Sequence, residues 1–245
     1  MTRAKKSLLI VFAILGVVII VLIFTGHAIQ RSFFYPKPHG LPQVVSLTAE
    51  QLLFRLQAVL ETNAPLVAQS LQAGLTDTQI SALEAQGGFH LSKDLKLLYR
   101  WHNGMSTNSV CGLLPGQRFL PLDEFVREKA IMRQQLASAT TVQKVGLSVF
   151  AGYMKSWVHV LDDGAGDGYF YDPERTDAEG AFFYHMAEVR YYVWFPSLRN
   201  FLSGTIECYE SRVIKLAPDG KSLDEDSQKA QMIWDRFGKN SESGN

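Results

Sequence analysis

The densest group of side chains that could do chemistry in this chain is acidic: Asp162, Asp163, Asp167, Asp172 and Glu174. Laid on a calcium-loop template from Asp163, the residues Asp167, Gly168 and Glu174 fall on template positions. Ala165 stands where a ligand is required, Pro173 is awkward, and no helix–loop–helix pattern surrounds the run. The same residues serve equally as a solvated hairpin turn, where Asp and Gly supply the geometry. They also serve as an acidic contact surface that would steer a basic protein partner. Gly164, Gly166 and Gly168 do not make a nucleotide loop, because no Lys-Ser/Thr follows and the next segment reads as a strand. The six histidines (His27, His39, His90, His102, His159, His185) form no ligand motif, and no G-x-S-x-G nucleophile elbow is present. His102 reads as a favourable partner for a helix C-terminus. Cys111 and Cys208 can bridge if their Cα atoms come within about 7 Å, or stay two independent buried thiols. Tyr191, Tyr192, Trp194 and Phe195 are core by prior and partner anchors if exposed. The candidate partner-binding set is Asp162, Asp163, Asp167, Tyr169, Trp157, Tyr192 and Trp194. No catalytic residue, metal ligand or cofactor is expected, and the chain reads as a binding protein rather than an enzyme.

These residues must be positioned by two kinds of element. The first is helical. Thr48 and Gln51 form a capping box ahead of Leu52, Leu53, Leu56, Val59 and Leu60 at helical spacing. Thr76 and Gln79 form a second box, with Ile80 and Leu83 inward and Gly87-Gly88 as the stop. Ser92 caps KDLKLLYRWH, with Leu95, Leu98 and Trp101 or His102 on one face and Asn103-Gly104 as a left-handed stop. A helix is predicted over residues 122–136, and another over 196–209, entered at Pro196 with Leu198, Phe201 and Leu202 inward. The second kind is β. Residues 145–150, 157–161, 168–171 and 181–185 are short runs rich in β-branched and aromatic side chains, separated by turn residues, so neighbours should pair antiparallel. Ser222 and Glu225 read as a further capping box before an amphipathic segment carrying Ile233, Trp234 and Phe237. Residues 239–245 should fray.

Ahead of all this, residues 8–24 read LLIVFAILGVVIIVLIF with no polar side chain. At the helical rise the run covers roughly 26 Å, close to a bilayer's hydrocarbon thickness. Gly26-His27-Ala28 offers a small-x-small pattern, but the apolar run exceeds a usual signal-peptide core, so an uncleaved anchor is expected. Arg3, Lys5 and Lys6 favour an N-terminus inside. Pro36, Pro38 and Pro42, with Phe33, Phe34 and Tyr35, suit an extended tether leaving the membrane interface. Lys plus Arg and Asp plus Glu are 24 each, so once the basic N-terminal residues are set aside the body is slightly acidic. That balance gives no general field for nucleic acid. An aromatic share of 11% argues against disorder.

The stretch QISALEAQGGFHLSKDLKLLYRWHNG, residues 79–104, resembles the opening of the SUKH superfamily, in the branch of the fungal Smi/Knr cell-wall-assembly regulators. Ile80, Glu84, Gly87, Leu91 and Asn103-Gly104 carry the match. Ser92 stands where proline is usual, a change that helix capping tolerates. Residues 119–124 (FLPLDE) resemble the family's strand leading into a helix. Residues 167–172 (DGYFYD) resemble its central hairpin strand, and residues 195–202 its closing helix. The resemblance spans residues 47–210. It implies an α+β fold, with an antiparallel sheet of about four to six strands packed against helices, here behind an N-terminal transmembrane helix. It also implies a binding role: bacterial members are typically immunity proteins that neutralise secreted or contact-delivered toxins, and the fungal branch implies a scaffold or regulator of envelope assembly.

The organisation expected from these readings is a short cytoplasmic tail (1–7), a transmembrane anchor (8–28), a tether (29–46), the SUKH-like domain (47–210) and a C-terminal extension (211–245). The expected location is a single-pass inner membrane with the domain outside the cytoplasm. The expected partner is a protein, a cognate toxin, with the membrane contacted through residues 8–28 and no nucleic acid bound.

Overall fold

The computed structural model describes residues 45–109, 111–138, 157–172, 181–185 and 194–238. The chain divides into two units, Met1–His39 and Gly40–Asn245. The first, with the predicted anchor, lies outside the described residues, and everything below concerns the second. Among the described residues no helix is long and apolar enough to cross a membrane.

Helix α1 (Ala49–Asn63) starts where Thr48 accepts the Gln51 N–H and Gln51 returns a bond from the Thr48 N–H, the reciprocal box read from the sequence. Its stripe Leu52, Leu53, Leu56, Val59 and Leu60 is buried. Helix α2 (Pro65–Ser70) opens at proline, where the missing N–H costs nothing, and leads into β1 (Leu71–Ala73). Thr76 boxes α3 (Asp77–Gly87), and Gly88 at φ +60° ends it in the left-handed region. Ser92 caps α4 (Lys93–Trp101), with Leu95 and Leu98 buried. That helix ends differently from the expected left-handed stop. His102 is extended and begins β2 (His102–Met105), which pairs antiparallel with β1. Gly104 does have a positive φ of +70°, but it works inside the strand: a Cβ there would strike the backbone of Leu120 and Pro121. The glycine is required by a close approach of two backbones.

Strand β3 (Arg118–Phe119) runs into α5 (Leu122–Ser138). Strands β4 (Val158–Asp162), β5 (Gly168–Asp172), β6 (Ala181–His185) and β7 (Trp194–Phe195) complete a sheet in the order β3-β4-β5-β6-β7, every pair antiparallel. Among the described residues this is a five-stranded sheet, within the expected range. The predicted strand at 145–150 lies outside them. From β4 to β7 the sheet order follows chain order across short links, which favour antiparallel neighbours, whereas β3 joins β4 only after the chain has passed through α5.

Helix α6 (Leu198–Glu210) covers the sheet. Ser197, not Pro196, is its cap: Ser197 Oγ accepts the Asn200 N–H, so proline sits just before the cap rather than in the first turn. Phe201 is the centre of this packing, with ring centroids 5.0 to 5.4 Å from Tyr169, Phe182 and Phe195. The C-terminal segment also departs from its sequence reading. Residues 223–225 form β9 (Leu223–Glu225), paired with β8 (Ile214–Leu216), so no Ser222–Glu225 capping box exists. The Ser222 hydroxyl is turned to the Asp219 carboxylate instead. Asp226 caps α7 (Ser227–Phe237), accepting from the Lys229 N–H. The amphipathic face read from the sequence packs on α6: Ile233, Trp234 and Phe237 are buried, and Gly204 lets the helices close.

Candidate partner-binding site

The link between β4 and β5 carries the acidic residues, and its geometry is built by their own carboxylates. Asp162 Oδ1 accepts the Gly164 N–H at 3.0 Å. Asp163 Oδ1 accepts the N–H groups of Ala165 (2.7 Å) and Asp167 (3.0 Å). The Asp163 N–H reaches Asp167 O at 3.0 Å, and Gly164 and Gly166 hold φ of +83° and +98°. Short Asx side chains closing such turns are the ordinary use of Asp beside Gly. The calcium template is not realised by the atoms present: Asp163 spends one oxygen on backbone donors, Asp172 is buried in β5, and Glu174 lies outside the described residues. Among the described residues, no group of three or more His, Cys, Asp or Glu could hold a metal ion.

The structure separates the remaining candidates. Asp163 is exposed and Asp167 half-buried at the loop. Tyr169 is 8% exposed and Trp157 2%, so both are packing residues. Tyr169 meets Tyr184 and Phe201, and Trp157 lies edge-on to Phe183. Neither ring offers a face to a partner in this conformation; their contribution is to hold the strands that carry the turn. Trp194 lies on β7, and Tyr192 lies outside the described residues. Cys111 and Cys208 are both buried free thiols. Burial, with the Glu225 and Glu207 charges behind it, pushes the Cys208 thiol up to about 12.

Residues that the sequence reading passed over complete the surroundings. Arg118 on β3 makes a bidentate pair with Glu124 in the first turn of α5, at 2.8 and 2.9 Å, and lies 3.8 Å from Asp162. The Glu124 hydrogen bonds hold the guanidinium above its usual pKa. Pro121 makes this pair inferable: a strand ending just before a helix start brings the flanking Arg and Glu to one side. His159 is buried and stacked on Phe170 with centroids 4.2 Å apart. Its Nδ1 is 3.6 Å from Glu128 and its Nε2 4.0 Å from Asp162, and Nε2 has no hydrogen-bond partner. No local pattern announces that residue, because its contacts are shared among Glu128 on α5, Phe170 on β5 and Asp162 at the end of its own strand.

Beside the acidic turn runs a second tight turn, where Leu114 and Gln117 exchange backbone hydrogen bonds and Gly116 holds φ +69°. The two turns border a groove of about 300 Å³ lined by Ser109, Cys111, Gln117, Arg118, Asp162 and Asp163 among others. Gln117 Nε2 donates to the Tyr184 hydroxyl at 3.4 Å. Burial, then the nearby Asp163 and Asp167 charges, hold that hydroxyl above its ordinary pKa.

His102 stands apart from the groove. Its ring nitrogens approach Gln72 O (2.6 Å) and Gln57 Oε1 (3.0 Å), and burial lowers its pKa against the backbone hydrogen bond. No Ser, Cys or Asp side chain is among its hydrogen-bond partners in the described residues.

Compared with known families, residues 74–204 match the model of the SMI1 / KNR4 family (SUKH-1). No curated protein matches the chain.

Proposed function

Because this chain belongs to the SMI1 / KNR4 family (SUKH-1), we propose that it is a protein-binding module acting as an immunity protein: it neutralises a secreted or contact-delivered bacterial toxin by direct binding. The observation that carries the reading is the acidic turn at residues 162–167. Its shape is fixed by its own hydrogen bonds before any partner arrives, and Asp163 faces solvent. A surface ordered in advance loses little conformational entropy on binding. Its negative charge accelerates encounter with a basic partner.

In this proposal residues 8–28 span the inner membrane with the N-terminus inside, and the domain stands outside the cytoplasm. Tethering raises the local concentration of the antidote where a toxin arrives. Asp162, Asp163 and Asp167 act at the contact surface, with Tyr192 and Trp194 as candidate aromatic anchors. Tyr169 and Trp157 support the surface from beneath. The protein acts by occupying its partner, without chemistry of its own.

The test is co-expression of the full chain with a toxic polypeptide encoded beside its gene, directed to the periplasm. Growth rescue together with a purified complex is the expected result. A tight complex without rescue would point instead to a scaffold or regulator of envelope assembly.

A further inference from the structure

We propose that His159 is a pH-sensitive switch built into the sheet: when its ring takes up a second proton it draws in Asp162, and with Asp162 the backbone of the turn at residues 162–167. The device itself requires no partner. Only its bearing on affinity rests on the binding role proposed above.

The ring is buried and held in one plane. His159 lies on β4 at 5% exposure and stacks on Phe170 with an interplanar angle of 6°. A Cβ at Gly168 would lie 2.8 Å from its Nε2, so that glycine leaves the space the ring fills. Carboxylates stand at both of its nitrogens. Glu128 Oε2 is 3.6 Å from Nδ1, and Asp162 Oδ1 is 4.0 Å from Nε2. Both separations exceed a hydrogen bond, and Nε2 has no hydrogen-bond partner among the described residues.

A neutral imidazole has one N–H and one lone pair, and an ionised carboxylate can only accept. Whichever nitrogen carries the proton, the other turns a lone pair toward a carboxylate oxygen. The imidazolium, with an N–H on each nitrogen, suits both neighbours. Charge-assisted bonds of this type close to about 2.7–2.9 Å, so Asp162 and the ring approach by roughly 1 Å. Glu128, with 44% of its side chain exposed, gives the proton a path from solvent.

Asp162 is the joint between the ring and the turn. Its Oδ1, the atom facing His159, accepts the Gly164 N–H at 3.0 Å, and its Oδ2 faces Arg118 at 3.8 Å. A proton on His159 therefore adds a second donor to an oxygen that shapes the turn. The charged groups around the ring come from three elements: Glu128 on α5, Arg118 on β3 with its partner Glu124, and Asp162 on β4 itself. From β5 come Gly168 and Phe170, which do not titrate, and His185 on β6 stands in register with Gly168. Three carboxylates accompany one guanidinium, so the added proton reduces a negative excess instead of creating a positive one.

The experiment is a pH titration of the full chain, isotope-labelled and kept in detergent micelles, followed by NMR at the His159 ring and the Gly164 amide. Histidine changes charge between about pH 5 and 8, above the ordinary carboxylate range. Expected is one shared midpoint in that window for the ring and the Gly164 amide. His159→Gln should abolish the Gly164 response. Asp162→Asn keeps an Oδ1 acceptor for the Gly164 N–H and should cut the response by about half, the difference between a charge-assisted and a neutral hydrogen bond. His185→Gln should leave it intact. A ring that keeps one charge state across the window, a ring that titrates while Gly164 stays still, or a Gly164 response that survives in His159→Gln or vanishes in His185→Gln would overturn the proposal. If His159→Gln does not fold, the wild type and Asp162→Asn decide alone, and an undiminished Gly164 response in Asp162→Asn refutes the switch. The two readings fail separately. A coupled titration without toxin rescue keeps the switch and removes immunity, and rescue with a silent Gly164 does the reverse.

Discussion

Single side chains in this domain do long-range structural work that their types only hint at. Asn103 is the clearest case. Its Oδ1 accepts the Leu122 N–H at 2.9 Å and its Nδ2 donates to Asp123, so a residue on β2 caps a helix that begins nineteen positions later. Asn103→Ala should cost about 1–3 kcal/mol, the range for leaving a buried backbone donor unpaired, read as a lowered urea midpoint with an unchanged slope. Glu84 plays a similar part: it accepts the Leu91 N–H at 2.6 Å and pairs with Lys96 at 3.0 Å, tying the α3–α4 link to both helices. The Asn-Gly and the Glu were visible as family features in the sequence. Their partners were not, because each lies on another element and no local period encodes it.

Asp123 carries a pH signature at the same scale. Burial, the largest single influence, raises its pKa, but hydrogen bonds from Arg127 and Asn103 outweigh it and the folded value is lowered. A lowered carboxylate supplies stability above its unfolded pKa and loses it as pH falls through the folded value. The acid limb of a stability–pH curve should therefore be shallower in Asp123→Asn than in the wild type. Cys208 gives a complementary readout. With its thiol held near 12 by burial, it should resist alkylation at neutral pH in the folded protein and react once the protein is unfolded.

At the scale of elements, α6 is the piece that joins sheet, α1 and α7, and two residues decide how. Phe201 sits against three aromatic rings of the sheet, so Phe201→Ala should cost about 3–5 kcal/mol and lower the melting temperature accordingly. Gly204 decides the fit of α7: a Cβ there would lie 2.7 Å from the Trp234 ring. Gly204→Val should push Trp234 outward, seen as a red-shifted tryptophan emission, with a loss of about 1–3 kcal/mol from overpacking. The helices with strong caps and a clean apolar stripe, α1, α3 and α4, were legible from residue order alone. The start of α7 was not. Ser222 and Glu225 have capping-box spacing, yet the pairing of Leu216 with Leu223 draws those residues into a hairpin and leaves Asp226 as the cap. A tertiary pairing overrode a local motif. The candidate site divided in the same way. The acidic turn was readable from Asp and Gly spacing, whereas Gln117 and Arg118 come from a turn and a strand distant in sequence; Tyr169 faces inward because β5 is buried along its whole length, and Trp157, just ahead of β4, is buried against Phe183.

For the whole molecule, fold and family point in one direction. An antiparallel sheet is covered by α6, on which α1 packs, two tight turns lie side by side near β3 and β4, and residues 74–204 match the SMI1 / KNR4 family model. Removal of residues 1–28 should release the domain from membranes into the soluble fraction under carbonate extraction, if the apolar run anchors it as proposed. As proposed, this domain protects by binding, through its acidic turn. The most direct measurement is survival of cells that co-express the full chain and the toxic polypeptide encoded beside it, directed to the periplasm, with the complex then isolated and its affinity measured. Rescue is expected, with a dissociation constant on the order of nanomolar, and both should be lost in Asp163→Asn. Undiminished toxicity with the chain present at the membrane, and no complex on purification, would contradict it.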